Sequence, residues 1–443
     1  MKVMKNIIGS DNILIKSGTV FEPSSGKEIL SDILIQNGII RAIDKNVNVE
    51  AASKELVVLN CQNYFVFPGF VDMHVHLREP GNEEEEDIGS GSRAAVRGGI
   101  TNIACMPNTY PPIDREYLIN YILSKSKLID FKIYPVAAMS KNLEGKEMTE
   151  IGLLKEAGAI AFSDDGKCIQ DSKLMYEIMK YASHFDLPLI LHEEDYSFSN
   201  YGLAHEGYYC AKLGLDGISP FAEELMISRD IMLAKMAGAK IHITHVSSKG
   251  SIILIKRAKE DGLKITCDVT PHHLYFNDSF LESYNTNLKV SPPIRSEEDR
   301  KALVSAVSEG IIDAIASDHA PHYEAEKNTT FKDAANGTIG LETLFKASYT
   351  KLVREEKIKL SKLVALLTSG PAKILNIKAP AIKVGNKADI AIIDLEKNKK
   401  IKKEDFCSKS KNSAFIGQNL YGEVVYTINN GRLEFINESC RSF

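Results

Sequence analysis

The stretch 68–81 reads PGFVDMHVHLREPG and places two histidines at the end of an apolar segment. Because successive side chains on a strand point to opposite faces, His74 and His76 project from the same face and can share one metal ion. Pro80 and Gly81 then end the strand. The pair alone is weak evidence, so its meaning depends on the rest of the chain.

Short apolar runs rich in β-forming residues alternate with segments of helical periodicity between about residue 65 and residue 320. This alternation is typical of βα units on a parallel sheet. The eight runs are 65–77, 101–106, 132–137, 159–163, 188–192, 240–246, 264–269 and 311–317. Eight βα units close a barrel, so the predicted fold is α/β, with a (β/α)8 TIM-like barrel.

Both ends of the chain have a different pattern. Residues 12–60 and 384–435 contain strand-like runs separated by turn signals such as Asn37-Gly38 and Asn430-Gly431. Neither end can bury a sheet alone, so we expect the two ends to pair into one small β domain beside the barrel. The predicted domains are 1–64 and 379–443 for the two parts of the β domain, and 65–378 for the barrel.

Composition excludes several classes of protein. The 443 residues carry 54 basic and 59 acidic side chains, and no basic stripe predicts a nucleic-acid partner. No apolar run approaches the length of a membrane span and the start lacks a secretory signal, so we expect a cytoplasmic protein without membrane contact. Seven cysteines occur singly, which argues against a disulfide framework or a thiolate metal site. The acidic run 83–87 is interpreted as the solvated start of a helix.

Polar residues follow the apolar runs at the same end. Asp164 and Asp165 end the fourth run, and His192, His245 and Asp318 follow the fifth, sixth and eighth. In a barrel these ends share one mouth, where a metal site would satisfy them. Four histidines and two carboxylates exceed the needs of one tetrahedral ion, which favours two bridged ions, and nitrogen and oxygen donors suit zinc, manganese or iron. We expect zinc; any one of these residues alone would more simply be a core or capping group.

Further motifs support a family resemblance. The stretch 68–81 is accompanied by MPNT (106–109), SDDG (163–166), HVS (245–247), TPHHL (270–274), SDHAPH (317–322) and GNKADI (385–390). Together they resemble dihydroorotases of the longer bacterial type, in the amidohydrolase superfamily. The discriminating piece is HVHLREPG (74–81), since the more general pattern P-G-x-x-D-x-H-x-H is shared with allantoinases and hydantoinases.

The resemblance implies a binuclear zinc site. His74, His76 and Asp318 would bind one ion, His192 and His245 the other, and Asp165 would bridge them where many relatives use a carboxylated lysine. The choice of Asp165 over Asp164 rests on the family's spacing, because the residues alone leave both open.

The resemblance also implies an activity, the reversible cyclisation of N-carbamoyl-L-aspartate to L-dihydroorotate in pyrimidine biosynthesis. A metal-bridging hydroxide would attack, and Asp318 would act as the general base. Arg78 and Asn108 would hold the substrate α-carboxylate, with assistance from His322. A homodimer is expected because dimers are common among relatives.

Two positions that touch substrate in relatives depart from the family pattern. Ser291 stands where this branch has asparagine, and Asn336-Gly337 stands where it has Phe-Gly. The alternatives are therefore a cyclic amidohydrolase of other specificity, of the allantoinase or hydantoinase type, and a non-catalytic homologue that acts as a scaffold. All six ligand positions carry residues that can bind metal, which argues against the scaffold.

Overall fold

Eighteen strands organise the part of the chain that the structure, a computed structural model, describes, namely residues 7–23, 25–48, 56–199 and 202–437. In chain order they are β1 (Ile13–Glu22), β2 (Lys27–Gln36), β3 (Ile39–Asp44), β4 (Val57–Asn60), β5 (Phe65–Pro68), β6 (Phe70–Val75), β7 (Ile100–Cys105), β8 (Lys132–Ala137), β9 (Ala161–Ser163), β10 (Leu189–Leu191), β11 (Ala204–His205), β12 (Gly217–Ile218), β13 (Ile241–Ile243), β14 (Ile265–Val269), β15 (Ala314–Ile315), β16 (Ile390–Lys400), β17 (Asn419–Asn429) and β18 (Arg432–Ile436).

Eight parallel strands form a nearly closed barrel in the order β15-β14-β13-β10-β9-β8-β7-β6. Its two edges meet where Val75 forms a parallel bridge with His319, and the His76 amide donates to the His319 carbonyl at 2.9 Å. The predicted barrel is confirmed.

Side chains of the barrel strands alternate between its interior and the helices outside. On β7, Ala104 belongs to an inner cluster that collects one or more residues from several strands, whereas Ile103 and Cys105 pack in the outer cluster with the helices. Because both faces are buried, the strand sequence is apolar almost throughout. A polar side chain at the carboxyl end of such a strand is therefore directed to the barrel mouth.

Helices surround the barrel, and several begin at a residue whose side chain caps the helix. Asp87 accepts from the Ser90 amide at 2.7 Å, and Asp171 caps the helix that follows it. No helix within the described ranges is long and apolar enough to cross a bilayer. The helices are α1 (Ile88–Arg97), α2 (Glu116–Ile129), α3 (Ile151–Ala157), α4 (Ser172–Ala182), α5 (Tyr196–Ser199), α6 (Tyr208–Leu213), α7 (Phe221–Ala237), α8 (Lys249–Glu260), α9 (Pro271–Tyr275), α10 (Glu297–Glu309), α11 (Glu324–Lys327), α12 (Leu344–Ser348), α13 (Leu360–Leu366) and α14 (Ser369–Ile374).

The second large sheet joins the two ends of the chain, as predicted. Its strands run β18-β17-β16-β5-β1-β2-β3, with β4 also paired to β1. The hairpin turns form at the predicted places: Asn37-Gly38 and Asn430-Gly431 all have positive φ, as a two-residue turn of the I′ type requires. The sheet buries its own apolar cluster.

The predicted first barrel run, 65–77, is divided in the structure. Its first part is β5, which pairs with β1 and β16 in the terminal sheet, and only β6 belongs to the barrel. The chain changes sheets at Gly69, where a Cβ atom would collide with the Thr101 side chain. A single strand over 65–77 was therefore wrong, while the domain limits at 64 and 378 remain predictions.

Candidate metal centre

The six predicted metal-binding side chains converge at the mouth of the barrel. Each follows or ends a barrel strand at its carboxyl end, and all six are buried. They are His74 and His76 at the end of β6, Asp165 after β9, His192 after β10, His245 after β13 and Asp318 after β15.

Asp165 lies between two pairs of histidines. Its Oδ2 is 3.2 Å from Nε2 of His74 and 3.4 Å from Nε2 of His76. Its Oδ1 is 3.3 Å from Nε2 of His245 and 3.7 Å from Nδ1 of His192. One carboxylate thus faces two donor groups, each compact enough to hold an ion.

Asp318 completes the first of these groups. Its Oδ1 lies 3.2 Å from Nε2 of His76 and 3.5 Å from Nε2 of His74. Its backbone, like that of His245 and Arg78, has positive φ, a conformation that non-glycine residues adopt at a cost. Such strain concentrates at functional sites. Here the positive φ values accompany sharp turns of the chain where these residues reach the mouth of the barrel.

The neighbouring Asp164 has a different environment. Its Oδ1 accepts the amides of Met139 at 2.7 Å and Ser140 at 3.0 Å, and its Oδ2 accepts the Ser140 hydroxyl. This carboxylate therefore anchors the loop after β8. The structure distinguishes two aspartates that the residue pattern left open, and it places Asp165 in the cluster.

Hydrogen bonds at the far side of three imidazoles fix their tautomers. The Thr244 hydroxyl donates to Asp268 Oδ2 at 2.9 Å, so it accepts from His74 Nδ1 at 2.7 Å. His76 Nδ1 donates to Asn108 Oδ1 at 2.7 Å, and His192 Nε2 faces Glu194 Oε2 at 3.4 Å. When each ring is neutral, its other nitrogen carries the lone pair and points at the cluster, which is the arrangement of metal-binding histidines.

Thr244, Asp268 and Glu194 were not predicted from the sequence. Asp268 also accepts the His245 amide at 2.8 Å and lies 2.8 Å from His242 Nε2, so it organises two strands at once. The sequence signal that could have identified Asp268 is a carboxylate inside the predicted barrel strand 264–269, where it would be buried, as the structure shows.

The charges of the cluster favour the binding of a cation. Burial would raise the pKa of Asp165, but the positive charge of His74 and the hydrogen bond with His245 hold that pKa well below the usual range. Burial would lower the pKa of His74, yet Asp165 and Asp318 raise it to about 10. His74 Nε2 nevertheless has no hydrogen-bond partner among the described residues. The donor set therefore fits a metal cofactor.

A cavity of about 610 Å³ opens beside the cluster. The predicted substrate-binding residues all line it, namely Arg78, Asn108, Ser291, His322, Asn336 and Gly337. Arg78 Nε contacts the Pro321 carbonyl at 3.1 Å and Glu85 Oε2 at 2.9 Å, and its Nη2 is 3.4 Å from His322 Nε2.

The interpretation of 83–87 as solvated was wrong for two of its residues. Glu85 is buried against Arg78, and Glu86 is fully buried, where it accepts the hydroxyls of Ser90 and Ser408. Arg78 lies in the cavity wall and Ser408 is 322 residues away from Glu86 along the chain, so local sequence could not reveal that these two carboxylates are buried. A helix does begin at the end of this run, with Asp87 as its N-cap and Ile88 as its first residue.

Solved structures with this architecture include cyclic amidohydrolases. The L-hydantoinase (dihydropyrimidinase) from Arthrobacter aurescens superposes with a TM-score of 0.83 at 25% sequence identity, covering 95% of both chains. The dihydropyrimidinase from Brevibacillus agri shares the fold, with a TM-score of 0.81 at 21% identity over 96% of this chain and 95% of that one. Together with the histidine and aspartate cluster, the fold defines a cyclic amidohydrolase.

Sequence comparisons narrow the class. The family model described as Dihydro-orotase-like matches residues 64–251. The dihydroorotase of Thermoanaerobacter sp. (strain X514) is 46% identical over 424 residues, which are 96% of this chain and 97% of that protein. The dihydroorotase of Syntrophus aciditrophicus (strain SB) is 44% identical over 424 residues, 96% of this chain and 99% of that protein. The chain belongs to the dihydroorotase family.

Proposed function

We propose that this protein is a zinc-dependent dihydroorotase, which cyclises N-carbamoyl-L-aspartate reversibly to L-dihydroorotate in pyrimidine biosynthesis. The observation that carries the proposal is the position of Asp165 between two histidine pairs, at the rim of a cavity that Arg78 also lines. The names of the curated relatives support the substrate.

The donor set supports two zinc ions. His74, His76 and Asp318 would hold one, His192 and His245 the other, and Asp165 would be shared. Imidazole nitrogen and carboxylate oxygen are ordinary zinc ligands. When bound, the ions would supply hydroxide near neutral pH and polarise the carbonyl under attack.

Asp318 is the proposed general base. It lines the cavity, and its pKa lies below the usual range because the contact with His76 at 3.2 Å and the charge of His74 outweigh burial. Asp318 is therefore ionised at neutral pH and can take the proton of the attacking water. In ring opening it would pass that proton to the departing ring nitrogen, and in cyclisation it would take a proton from the carbamoyl nitrogen.

Arg78 is proposed to hold the substrate α-carboxylate, since a guanidinium suits that group. The oxygen of Asn108 is committed to His76, so its NH₂ group is the part that can reach a carboxylate. His322 lines the same wall. Ser291 is shorter than the asparagine of relatives, and a bridging water would replace the missing amide.

Removal and return of zinc tests this function. After chelation the protein should lose its ability to consume L-dihydroorotate, measured by the loss of substrate absorbance, and added zinc should restore it. No turnover with zinc bound would contradict the proposal. Faster turnover of allantoin or a hydantoin would favour another specificity, and absence of both metal binding and turnover would favour a scaffold.

We also propose a cytoplasmic homodimer without a nucleic-acid partner, on the basis of the family resemblance and the mildly acidic composition. Sedimentation of the zinc-loaded protein should give twice the mass of the 443-residue chain.

A further inference from the structure

Two buried lysines hold the loop that follows the eighth barrel strand. This loop, 323–337, brings Asn336 and Gly337 to the cavity wall. Lys289 precedes Ser291 on a different loop, and Lys327 ends α11 within the loop itself; each is only 5% exposed. We call Lys289 and Lys327 the lysine clamp.

The lysine clamp binds carbonyl oxygens. Lys327 Nζ donates to the carbonyls of Ala335 at 2.7 Å, Gly337 at 2.9 Å and Lys289 at 3.3 Å. Lys289 Nζ donates to the carbonyls of Lys332 at 2.7 Å and Ala334 at 2.6 Å. All the hydrogen bonds described for the two ammonium groups thus go to neutral acceptors.

The same contacts fix the cavity wall. The Gly337 amide donates to the Lys289 carbonyl at 2.9 Å, and the His322 ring lies 2.8 Å from the Asn336 carbonyl through Nε2. Gly337 has a φ of 145°, and a Cβ there would lie 2.8 Å from the Ala320 Cβ. The amide and the carbonyl of Gly337 are therefore both engaged in hydrogen bonds within the protein, and this residue shapes the cavity wall.

The charge of the clamp matters for the ligand. Burial lowers the pKa of Lys327 to about 7, and the nearby charge of Lys289 adds to this effect. The three carbonyls oppose it, because only the ammonium form has three N–H donors. Carbonyl dipoles stabilise the ammonium groups but do not cancel their charge. Glu326 and Asp333 offset part of that charge, and the charge of Lys327 still acts on His322 in the cavity wall.

We propose that Lys289 and Lys327 are positioning and specificity-determining residues that shape the carboxylate side of the cavity and select a ring bearing a carboxylate over a neutral ring. The inference rests on the proposed function and explains how its substrate class is chosen. Hydantoins, the neutral rings named in the structural comparison, would gain nothing from this field.

The test compares Lys327→Met and Lys289→Met with Lys332→Met, an exposed lysine of the same loop, in the full zinc-loaded protein. We expect the KM for L-dihydroorotate to rise about tenfold or more in the clamp variants, with a smaller change in kcat and unchanged zinc content. Inhibition by orotate should weaken by a similar factor, whereas inhibition by uracil, which lacks the carboxylate, should not. Lys332→Met should match the unmodified protein.

Lys327→Arg keeps the charge and should recover part of the lost affinity for orotate. If Lys327→Met does not fold, Lys289→Met carries the same comparison, because the carbonyl bonds of Lys327 stay in place. Unchanged KM and unchanged orotate inhibition in folded, zinc-loaded variants would overturn the proposal, as would an equal loss of orotate and uracil binding. Failure of the proposed function would instead be seen as absence of turnover in the unmodified protein.

Discussion

Replacement of Thr244 by valine tests whether the hydrogen bonds behind the cluster prepare it for metal. Valine has nearly the shape of threonine but no hydroxyl, so the change removes one acceptor and one donor. His74 Nδ1 then loses its partner at 2.7 Å, and Asp268 loses a donor at 2.9 Å. Within the described part of the chain, no other hydrogen bond to His74 Nδ1 would hold the tautomer in which His74 Nε2 faces Asp165.

The expected magnitude follows from burial. His74 and Thr244 are at most 2% exposed, so water cannot replace the lost bond. An unpaired buried N–H costs about 1–3 kcal/mol. Loss of a partner behind a metal-binding histidine typically lowers metal affinity about 10–100-fold, which corresponds to about 1.4–2.7 kcal/mol. We therefore expect zinc affinity to fall within that range in Thr244→Val.

The assay is competition for zinc between the protein and a chromogenic chelator. Thr266→Val is the matched control, because Thr266 lies 2.8 Å from Nδ1 of His242, a histidine outside the predicted ligand set. It should lower stability but leave zinc affinity close to that of the unmodified protein. Equal affinity in Thr244→Val and the unmodified protein, or an equal loss in both variants, would refute the reasoning.

Three further changes probe the cluster, the cavity wall and the pH response. Asp165→Asn should lose bound metal and turnover. Asp164→Asn should keep the metal but melt at a lower temperature, because Asp164 accepts hydrogen bonds from two backbone amides. Metal analysis and thermal melting of both variants test this, and the opposite pattern would exchange the roles of the two aspartates. Gly337→Ala should raise the KM for L-dihydroorotate through its clash with Ala320, while Gly214→Ala, also at positive φ but with open space around its Cβ, should not; equal KM values would show that the wall tolerates the methyl group. Burial, with the charge of Arg295, lowers the pKa of His205 from 6.5 to about 4, so the unfolded chain binds more protons in that window and stability falls as the pH drops from 6.5 to 4. Over the same pH interval, the melting temperature of His205→Gln should fall less than that of the unmodified protein. Identical curves of melting temperature against pH would contradict the assignment of this effect to His205.

The barrel could be predicted because its strands are regular and local. Runs such as 159–163 and 188–192 are apolar at nearly every position, and each is followed by a segment of helical periodicity. The exchange of sheets at Gly69 could not be predicted from 65–77 alone, since Pro68 and Gly69 mark a break in the strand but do not show which sheet each side joins. It depends on the approach of Thr101 and on pairing with β16, more than 300 residues later.

The cluster itself was accessible from sequence because the carboxyl ends of barrel strands must meet. The supporting contacts were not. Glu86 owes its burial to Ser408, and Lys327 owes its burial to carbonyls on two loops. Such pairings depend on tertiary approach and leave no periodic pattern. Family spacing favoured Asp165 over Asp164, but only the hydrogen bonds of Asp164 give the physical reason.

Anomalous X-ray diffraction at the zinc edge, on crystals grown with zinc, tests most directly whether one carboxylate serves two ions. We predict two peaks on either side of Asp165, one beside His74 and His76 and the other beside His192 and His245. A single peak in an active crystal, or two peaks that do not share Asp165, would contradict the account.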